Sequence, residues 1–209
     1  MTGVFVTGTD TGVGKTVAAA CLARAWQAGY WKPVQTGLAT ADDDTATVAA
    51  LAGLPAERIV APVYSLQAPL SPHAAAELED VRIVMDAIAL PRTAHPLVVE
   101  GAGGLYVPLN DRDFMIDLMA KLALPVLLVA RSTLGTINHT LLSLAALRSH
   151  GLPIAGVILD GPPNAGNRAA IERFGQVRII AELARIDPLD TAGIARLASL
   201  IPPLGQVAP

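Results

Sequence analysis

A glycine- and threonine-rich segment near the start of the chain, residues 8–16 (Gly-Thr-Asp-Thr-Gly-Val-Gly-Lys-Thr), has the residue types that bind phosphate. It lies between an apolar run, Val4–Val6, and an alanine-rich segment that begins at Val17. This is the strand–loop–helix context of a phosphate-binding loop, in which backbone N–H groups and a helix N-terminus surround phosphate oxygens. Lys15 would reach the terminal phosphates and Thr16 would offer its hydroxyl to Mg²⁺.

The spacing of this loop is unusual. Five residues separate Gly8 from Gly14, where the general phosphate-loop pattern has four, and Thr9 stands where the first glycine is expected. The alternative is a glycine-rich turn that contains a lysine by coincidence. The motif predicts that the phosphates are bound by six consecutive residues: Gly12, Val13, Gly14, Lys15, Thr16 and Val17.

Carboxylates follow two further segments. Glu100 ends the apolar run Leu97–Val99 and is followed by the glycine-rich residues Gly101, Ala102 and Gly103. An acidic residue at such a strand end supports Mg²⁺ in phosphate-loop enzymes, and glycines allow a phosphate to approach the backbone. The triplet Asp42-Asp43-Asp44 could be a solvated acidic turn that caps the next helix, or it could supply oxygen ligands to Mg²⁺; the chemistry alone leaves both open.

Two polar segments could bind anions. Lys32, in Lys-Pro-Val-Gln-Thr-Gly (residues 32–37), places a second cation at a predicted strand end, where it could stabilise charge during phosphoryl transfer. Residues 132–139 (Ser-Thr-Leu-Gly-Thr-Ile-Asn-His) open a predicted helix, whose exposed amides would suit an anion or could be ordinary helix capping.

Apolar runs alternate with helix-like segments, which predicts βαβ units and an α/β fold: a P-loop NTPase-like domain over 1–209, with a mainly parallel sheet and helices on both faces. The functional residues should then meet at the carboxyl ends of the strands. The predicted strands are Gly3–Gly8, Tyr30–Pro33, Pro96–Glu100, Pro125–Ala130, Ile154–Leu159 and Val177–Ala181. The predicted helices are Lys15–Ala28, Thr45–Ala52, Ala74–Glu79, Val81–Leu90, Phe114–Leu122, Thr136–His150, Asn167–Phe174 and Thr191–Ser199.

The composition limits the function further. Hydrophobic residues make up 52% of the 209 residues and aromatic residues only 4%, which suits aliphatic strands buried on both faces. A net charge of −3 gives no basic surface for nucleic acid or an anionic membrane. The single cysteine, Cys21, fits a reducing compartment. Without a long apolar run or an N-terminal signal pattern, the chain is expected to be cytoplasmic.

Four motifs in this order resemble those of the dethiobiotin synthase family: residues 8–16 above, Lys-Pro-Val-Gln-Thr-Gly at 32–37, Val-Glu-Gly-Ala-Gly-Gly at 99–104 and Leu-Gly-Thr-Ile-Asn-His at 134–139. The extra residue in the phosphate loop is that family's own spacing. The resemblance runs from about Val4 to Gly156 and is weaker beyond.

The resemblance implies an ATP- and Mg²⁺-dependent ligase of biotin biosynthesis that closes a cyclic urea from 7,8-diaminopelargonic acid and CO₂. One amine forms a carbamate, whose oxygen takes the γ-phosphoryl group to give a carbamic–phosphoric anhydride. The second amine then attacks the carbonyl and expels phosphate. The protein mainly positions reactants and stabilises charge.

The family's functional residues carry over by motif position. Thr11, Lys15 and Lys32 would face the carbamate and the transferring phosphoryl group, and Thr16, Asp44 and Glu100 would hold Mg²⁺. Thr36 would hydrogen-bond the substrate. The substrate's carboxylate tail would be received by residues of the other subunit of a homodimer: Leu134, Gly135, Thr136, Ile137 and Asn138.

The chain departs from the family pattern at the nucleotide base. Asp160-Gly161 stands where many members have Asn-Asp to bind adenine. Glu182-Leu183-Ala184-Arg185 replaces a base-contacting segment that contains Ile-Pro, and its expected contacts are Leu183, Ala184 and Arg185. A carboxylate only accepts hydrogen bonds, whereas an asparagine also donates. These five residues are the expected base contacts, and the preference for ATP over CTP or another nucleotide stays open.

Two alternatives remain at this stage. A cobyrinate-synthetase-like ligase of related fold would be expected to carry a glutaminase domain. A nucleotide-switch ATPase of the partition or division type tends to have a second lysine early in the phosphate loop and a basic surface, whereas this chain has Thr9, Asp10 and a negative net charge.

Overall fold

A parallel β-sheet forms the centre of the computed structural model, which describes residues 3–40 and 43–207. Asp42, whose role the sequence left open, lies outside these residues. The described residues form nine strands: β1 Gly3–Gly8, β2 Gly29–Trp31, β3 Val34–Gln35, β4 Ile59–Val60, β5 Tyr64–Ser65, β6 Leu97–Gly104, β7 Val126–Arg131, β8 Ile154–Asp160 and β9 Ile179–Leu183.

Seven of these strands make one sheet in the order β4-β2-β6-β1-β7-β8-β9, and every neighbouring pair is parallel. The short strands β3 and β5 pair separately. The chain leaves β1 towards β2 on one side and later returns past β1 to β7 on the other. This reversal is a topological switch point, where open α/β sheets bind ligands at the carboxyl ends of their strands.

Helices cover both faces of the sheet, and the alternation of side chains along β1 shows how. Val4 and Val6 pack with the α1 side of the core, whereas Phe5 packs with the α4 side. Helices α1, α2 and α7 lie on the first side, and α4, α5 and α6 on the second. The helices are α1 Lys15–Ala25, α2 Asp44–Ala52, α3 Pro72–Leu78, α4 Met115–Leu122, α5 Thr136–Ser149, α6 Ala165–Gly175, α7 Thr191–Ala198 and α8 Leu204–Val207.

The α/β class, the parallel sheet and the helices on both faces confirm the prediction from sequence. The helix predicted over Val81–Leu90 is wrong: the segment contains only one 3₁₀ turn, Met85–Ala87. Side chains satisfy its backbone instead. The N–H of Val84 donates to the Tyr64 hydroxyl at 2.9 Å, and the Asn110 amide donates to the carbonyl of Ile83 at 3.0 Å.

The end of β6 also differs from the sequence prediction. Glu100 does not end its strand, because β6 continues to Gly104 and pairs Gly104 with Gly8 after an irregularity in the register. The C-terminal segment folds back onto the core: Val207 is buried, and the Trp26 indole donates to the carbonyl of Pro202 at 2.9 Å.

Candidate active site

The phosphate loop joins β1 to α1 as the sequence predicts. Gly12 and Gly14 have φ values of 68° and 92°, a left-handed conformation that glycine adopts without steric cost. Gly14 caps α1 without a side-chain hydrogen bond, so the helix N-terminus can accept an anion. A Cβ at position 14 would also lie 2.5 Å from the Asp160 carboxyl carbon, so two constraints require glycine there.

Lys15 opens α1 and is largely buried, with 7% of its surface exposed. Its ammonium donates to the carbonyl of Asp10 at 3.0 Å, across the loop. Desolvation, only partly offset by Glu100, lowers the pKa of Lys15 to about 8. Lys15 therefore carries its charge at neutral pH although burial disfavours that charge. A bound phosphate would offset the free-energy cost of this desolvation.

Thr16, Asp44 and Glu100 come together from three elements: α1, the first turn of α2 and the middle of β6. The Thr16 hydroxyl lies 2.6 Å from Asp44 Oδ1 and 3.1 Å from Glu100 Oε1. Asp43 does not join them, because its carboxylate caps α2 by accepting from the N–H of Ala46 at 3.0 Å. Of the two residues of the acidic triplet that the structure describes, Asp43 caps α2 and Asp44 belongs to the site.

Lys32 follows β2 and compensates both carboxylates. Its ammonium lies 2.6 Å from Asp44 Oδ2 and 3.2 Å from Glu100 Oε1. Burial alone would lower the pKa of Lys32, but Glu100 and Asp44 outweigh it and raise that pKa above its ordinary value. Burial would likewise raise the pKa of Asp44, yet Lys32 and Thr16 hold it below its usual range. The pair is ionised at neutral pH.

The donor set at this point fits a magnesium ion that is bound mainly by phosphates and water. Mg²⁺ takes hard oxygen ligands, commonly one or two carboxylates together with the phosphates of its nucleotide. Thr16, Asp44 and Glu100 supply one hydroxyl and two carboxylates within hydrogen-bonding distance of one another. The described residues contain no group of three or more Asp, Glu, His or Cys side chains that could hold a metal without a nucleotide.

A cavity of about 690 Å³ joins these residues. Its lining includes the predicted residues Thr11, Lys32 and Thr36, together with the residues Gly12, Gly14, Lys15, Thr16, Val17, Asp44, Glu100, Ala102, Gly103 and Asp160. A larger cavity of about 830 Å³ lies beside α3, but its lining lacks the phosphate loop. We take the smaller cavity as the candidate active site because it is the one that contains the loop and both lysines.

Leu134–Asn138, predicted to receive the substrate tail, do not line the cavity of their own chain. They form the turn before α5 and its first residues, with Gly135 at φ 92° as the N-cap. The Leu134 side chain is fully exposed, whereas Thr136 is buried. The single chain therefore does not bring this segment to the site, and its role as a substrate contact stays a prediction.

The predicted base contacts divide into two groups. Asp160 is half-buried in the cavity, and burial, moderated by Arg185, raises the pKa of its carboxyl group. Leu183 instead packs its side chain into the core, and its carbonyl accepts from the N–H of Gly161 at 2.9 Å. Its side chain is not free to contact a base.

Val13 in the phosphate loop is buried in the same way, which leaves only its backbone for a phosphate.

Two residues near the site were not found from the sequence. Arg131, the last residue of β7, donates to the carbonyl of Thr11 at 3.0 Å and lies 3.5 Å from Asp10 Oδ2. The fully buried Tyr30 donates its hydroxyl to Glu100 Oε2 at 2.9 Å. A signal existed for each: Arg131 stands at the carboxyl end of a predicted strand, and Tyr30 lies two positions before Lys32.

The fold and the loop define a P-loop nucleotide-binding α/β protein, and comparisons with known proteins agree. A family model described as an AAA domain matches residues 2–192. Among solved structures, the cell division ATPase MinD of Pyrococcus furiosus superposes with a TM-score of 0.56 at 14% identity, covering 96% of this chain and 98% of that one. A ParA family ATPase of Chlorobium tepidum superposes with a TM-score of 0.53 at 12% identity, covering 96% and 92%. At such identities the likeness concerns the fold alone.

Curated relatives narrow the class to one family. The chain is 54% identical to the ATP-dependent dethiobiotin synthetase BioD of Paramagnetospirillum magneticum over 97% of this chain and 96% of the relative. It is 59% identical to the biotin biosynthesis bifunctional protein BioCD of Bordetella avium over 98% of this chain, but spans only 44% of that longer protein. This chain belongs to the ATP-dependent dethiobiotin synthetase family.

Proposed function

We propose that this chain is an ATP-dependent ligase of biotin biosynthesis that forms dethiobiotin from 7,8-diaminopelargonic acid, CO₂ and ATP, releasing ADP and phosphate. The observation that carries the proposal is the convergence of Lys15 and Lys32 on one cavity with Thr16, Asp44 and Glu100. The names of the family members support dethiobiotin as the product and the use of ATP. Fold likeness to partition and division ATPases supports no second function, because it does not extend to activity.

Phosphate binding is assigned to the loop and to Lys15. The amides of residues 12–17 and the N-terminus of α1 would hold the phosphate chain. The Lys15 ammonium, now directed at the carbonyl of Asp10, would turn to the terminal phosphates. Because burial lowers the pKa of Lys15, a phosphate would stabilise the charge that the surrounding protein disfavours.

Metal binding is assigned to Thr16, Asp44 and Glu100, which would hold Mg²⁺ together with the nucleotide. The ion would neutralise phosphate charge during transfer. Glu100 is almost fully buried and Asp44 partly so, and this fixes the two carboxylates where the loop meets the sheet.

The ring-closing chemistry is assigned to Lys32 and Thr11, with Thr36 as a substrate contact. A carbamate formed from one amine and CO₂ is an anion, and its oxygen attacks the γ-phosphorus while ADP leaves. Lys32 keeps its proton because of its two carboxylate neighbours, so it offers a fixed positive charge to the carbamate and to the phosphoryl group. The second amine then attacks the carbonyl carbon, and phosphate is expelled.

A homodimer is part of the proposal. The Leu134–Asn138 segment lies outside its own chain's cavity and exposes Leu134 completely. Supplying this segment to the cavity of a second copy would bring its amides to the substrate's carboxylate tail. No helix among residues 3–40 and 43–207 is long and apolar enough to cross a membrane, and a cytoplasmic location is proposed from the biosynthetic reaction.

The proposal is tested by measuring ADP release with Mg²⁺ and ATP, adding 7,8-diaminopelargonate and bicarbonate separately and together. We expect rapid release only when both are present, with one dethiobiotin formed for each ADP. Release that instead responds to DNA or to lipid vesicles, and not to diaminopelargonate, would contradict the ligase function and favour a nucleotide switch.

A further inference from the structure

Tyr30 makes a contact that its place in the core does not explain. The residue lies in β2, and its ring packs among the buried side chains on the α1 side of the sheet. A phenylalanine would fill this space equally well. The tyrosine instead carries a hydroxyl into the interior, where it donates to Glu100 Oε2 at 2.9 Å.

As a result of this contact, the two carboxylate oxygens of Glu100 have different hydrogen-bond partners. Oε2 receives the Tyr30 hydroxyl, while Oε1 lies 3.1 Å from the Thr16 hydroxyl and 3.2 Å from the Lys32 ammonium. Burying a charged group is costly unless it is paired and hydrogen-bonded. Hydrogen bonds to the far side of a ligating carboxylate also fix its orientation and tune the metal that it holds.

We propose that Tyr30 is a positioning residue: its hydroxyl anchors Oε2 of Glu100 and so directs Oε1 towards Thr16, Lys32 and the cavity that receives the magnesium nucleotide. The inference rests on the proposed function in one respect only, that Glu100 supports Mg²⁺ there. Tyr30 itself contacts no reactant and acts through Glu100.

The first test is Tyr30→Phe, which keeps the ring and removes the hydroxyl. Loss of an outer hydrogen bond to a metal-supporting carboxylate weakens metal binding by about tenfold. We therefore expect the Mg²⁺ concentration that gives half-maximal turnover to rise by about that factor. Calorimetry should show weaker binding of Mg²⁺ with ADP and unchanged binding of ADP without metal.

The matched control is Tyr64→Phe, because within residues 3–40 and 43–207 the Tyr64 hydroxyl hydrogen-bonds the backbone of Val84, away from the cavity. Its Mg²⁺ dependence and its ADP binding should equal those of the wild type. A Tyr30→Phe protein that loses thermal stability but keeps the wild-type Mg²⁺ dependence in both assays would show that the hydroxyl is only structural, and the proposal would fail.

A double-mutant cycle with Glu100→Gln shows through which group Tyr30 acts. If it acts through Glu100, the double variant binds Mg²⁺ with ADP as weakly as Glu100→Gln alone; a further tenfold loss would contradict the proposal. If Tyr30→Phe alone does not fold, the double variant should still fold, because it has no carboxylate at position 100 to bury. Its binding of Mg²⁺ with ADP is then compared with that of Glu100→Gln alone.

The binding measurements use Mg²⁺ and ADP and need no turnover. A wild-type protein that forms no dethiobiotin would therefore refute the proposed function, and the calorimetric comparison would still decide the role of Tyr30.

Discussion

The phosphate loop and the carboxyl end of β2 each bury one lysine, and the two lysines are held in opposite electrostatic settings. Lys15 in the loop has a carbonyl as its hydrogen-bond partner, and desolvation lowers its pKa to about 8. Lys32 lies between Asp44 and Glu100, and its pKa is raised. The charge of Lys15 is therefore disfavoured by the fold and would be stabilised by a bound phosphate. The charge of Lys32 is already stabilised by two carboxylates of the fold.

The largest expected effect is on turnover, where both regions should be equally necessary. Replacing Lys15 or Lys32 with methionine should reduce dethiobiotin formation by about 10²- to 10³-fold, because each removes a preorganised charge at the transferring phosphoryl group. Steady-state assays at saturating ATP and Mg²⁺ measure this effect. Near-normal activity of the Lys32 variant would refute its assigned role.

The second prediction concerns the free energy of unfolding, on which the two lysines should have opposite effects. Lys32→Met leaves Asp44 and Glu100 facing each other without the ammonium that pairs with both, which should cost about 3 kcal/mol of unfolding free energy. Urea unfolding at pH 7 without ligand measures the cost. Combining Lys32→Met with Glu100→Gln should recover part of it, since one uncompensated charge is removed. An unchanged unfolding midpoint for Lys32→Met would contradict the account.

Lys15→Met should act in the opposite direction. The pKa of Lys15 in the folded protein, about 8, lies below its ordinary value of 10.5, so the native state holds this proton less tightly than the unfolded state does. Charged Lys15 therefore costs stability fully below pH 8, and this cost disappears as the pH rises to about 10.5. The stabilisation by methionine should reach at most about 3 kcal/mol at pH 7. Equal stability gains at pH 7 and above pH 10.5 would argue against this origin.

The smallest expected effect lies at the base end of the nucleotide. Asp160→Asn replaces a group that only accepts hydrogen bonds with one that also donates. We expect a change of about three- to tenfold in the ratio of kcat/KM for ATP and CTP, the size of one modest hydrogen-bond difference. Asp86→Asn, at an exposed carboxylate that pairs with Lys121, is the control and should leave the ratio unchanged. A ratio unaffected by Asp160→Asn would remove this residue from the base site.

The contrast between the lysines also explains what the sequence could and could not predict. The phosphate loop is local: its glycines, Lys15 and Thr16 are consecutive, so their spacing predicts their geometry. The α/β class followed similarly from alternating apolar runs. The second region joins residues 32, 44 and 100. Lys32 and Glu100 are expected to meet because both stand at predicted strand ends, but only the resemblance to a family assigns Asp44 to the same site.

Contacts between residues that are distant in sequence and belong to no motif could not be predicted either. In the sequence Tyr30 is one residue of a short predicted strand, and its hydrogen bond to Glu100 depends on the register between β2 and β6. A helix is predicted over Val81–Leu90, but the hydroxyl that accepts from the N–H of Val84 comes from Tyr64, 20 residues earlier in the chain. Such long-range partners are decided by packing rather than by local pattern.

The central claim, that both regions serve one ring-forming reaction, is tested most directly by following carbon from ¹³C-labelled bicarbonate. With diaminopelargonate, ATP and Mg²⁺, mass spectrometry should show dethiobiotin carrying one ¹³C, formed in equal amount to ADP and absent with Lys32→Met. ADP formed without any labelled dethiobiotin by the wild-type protein would contradict the account.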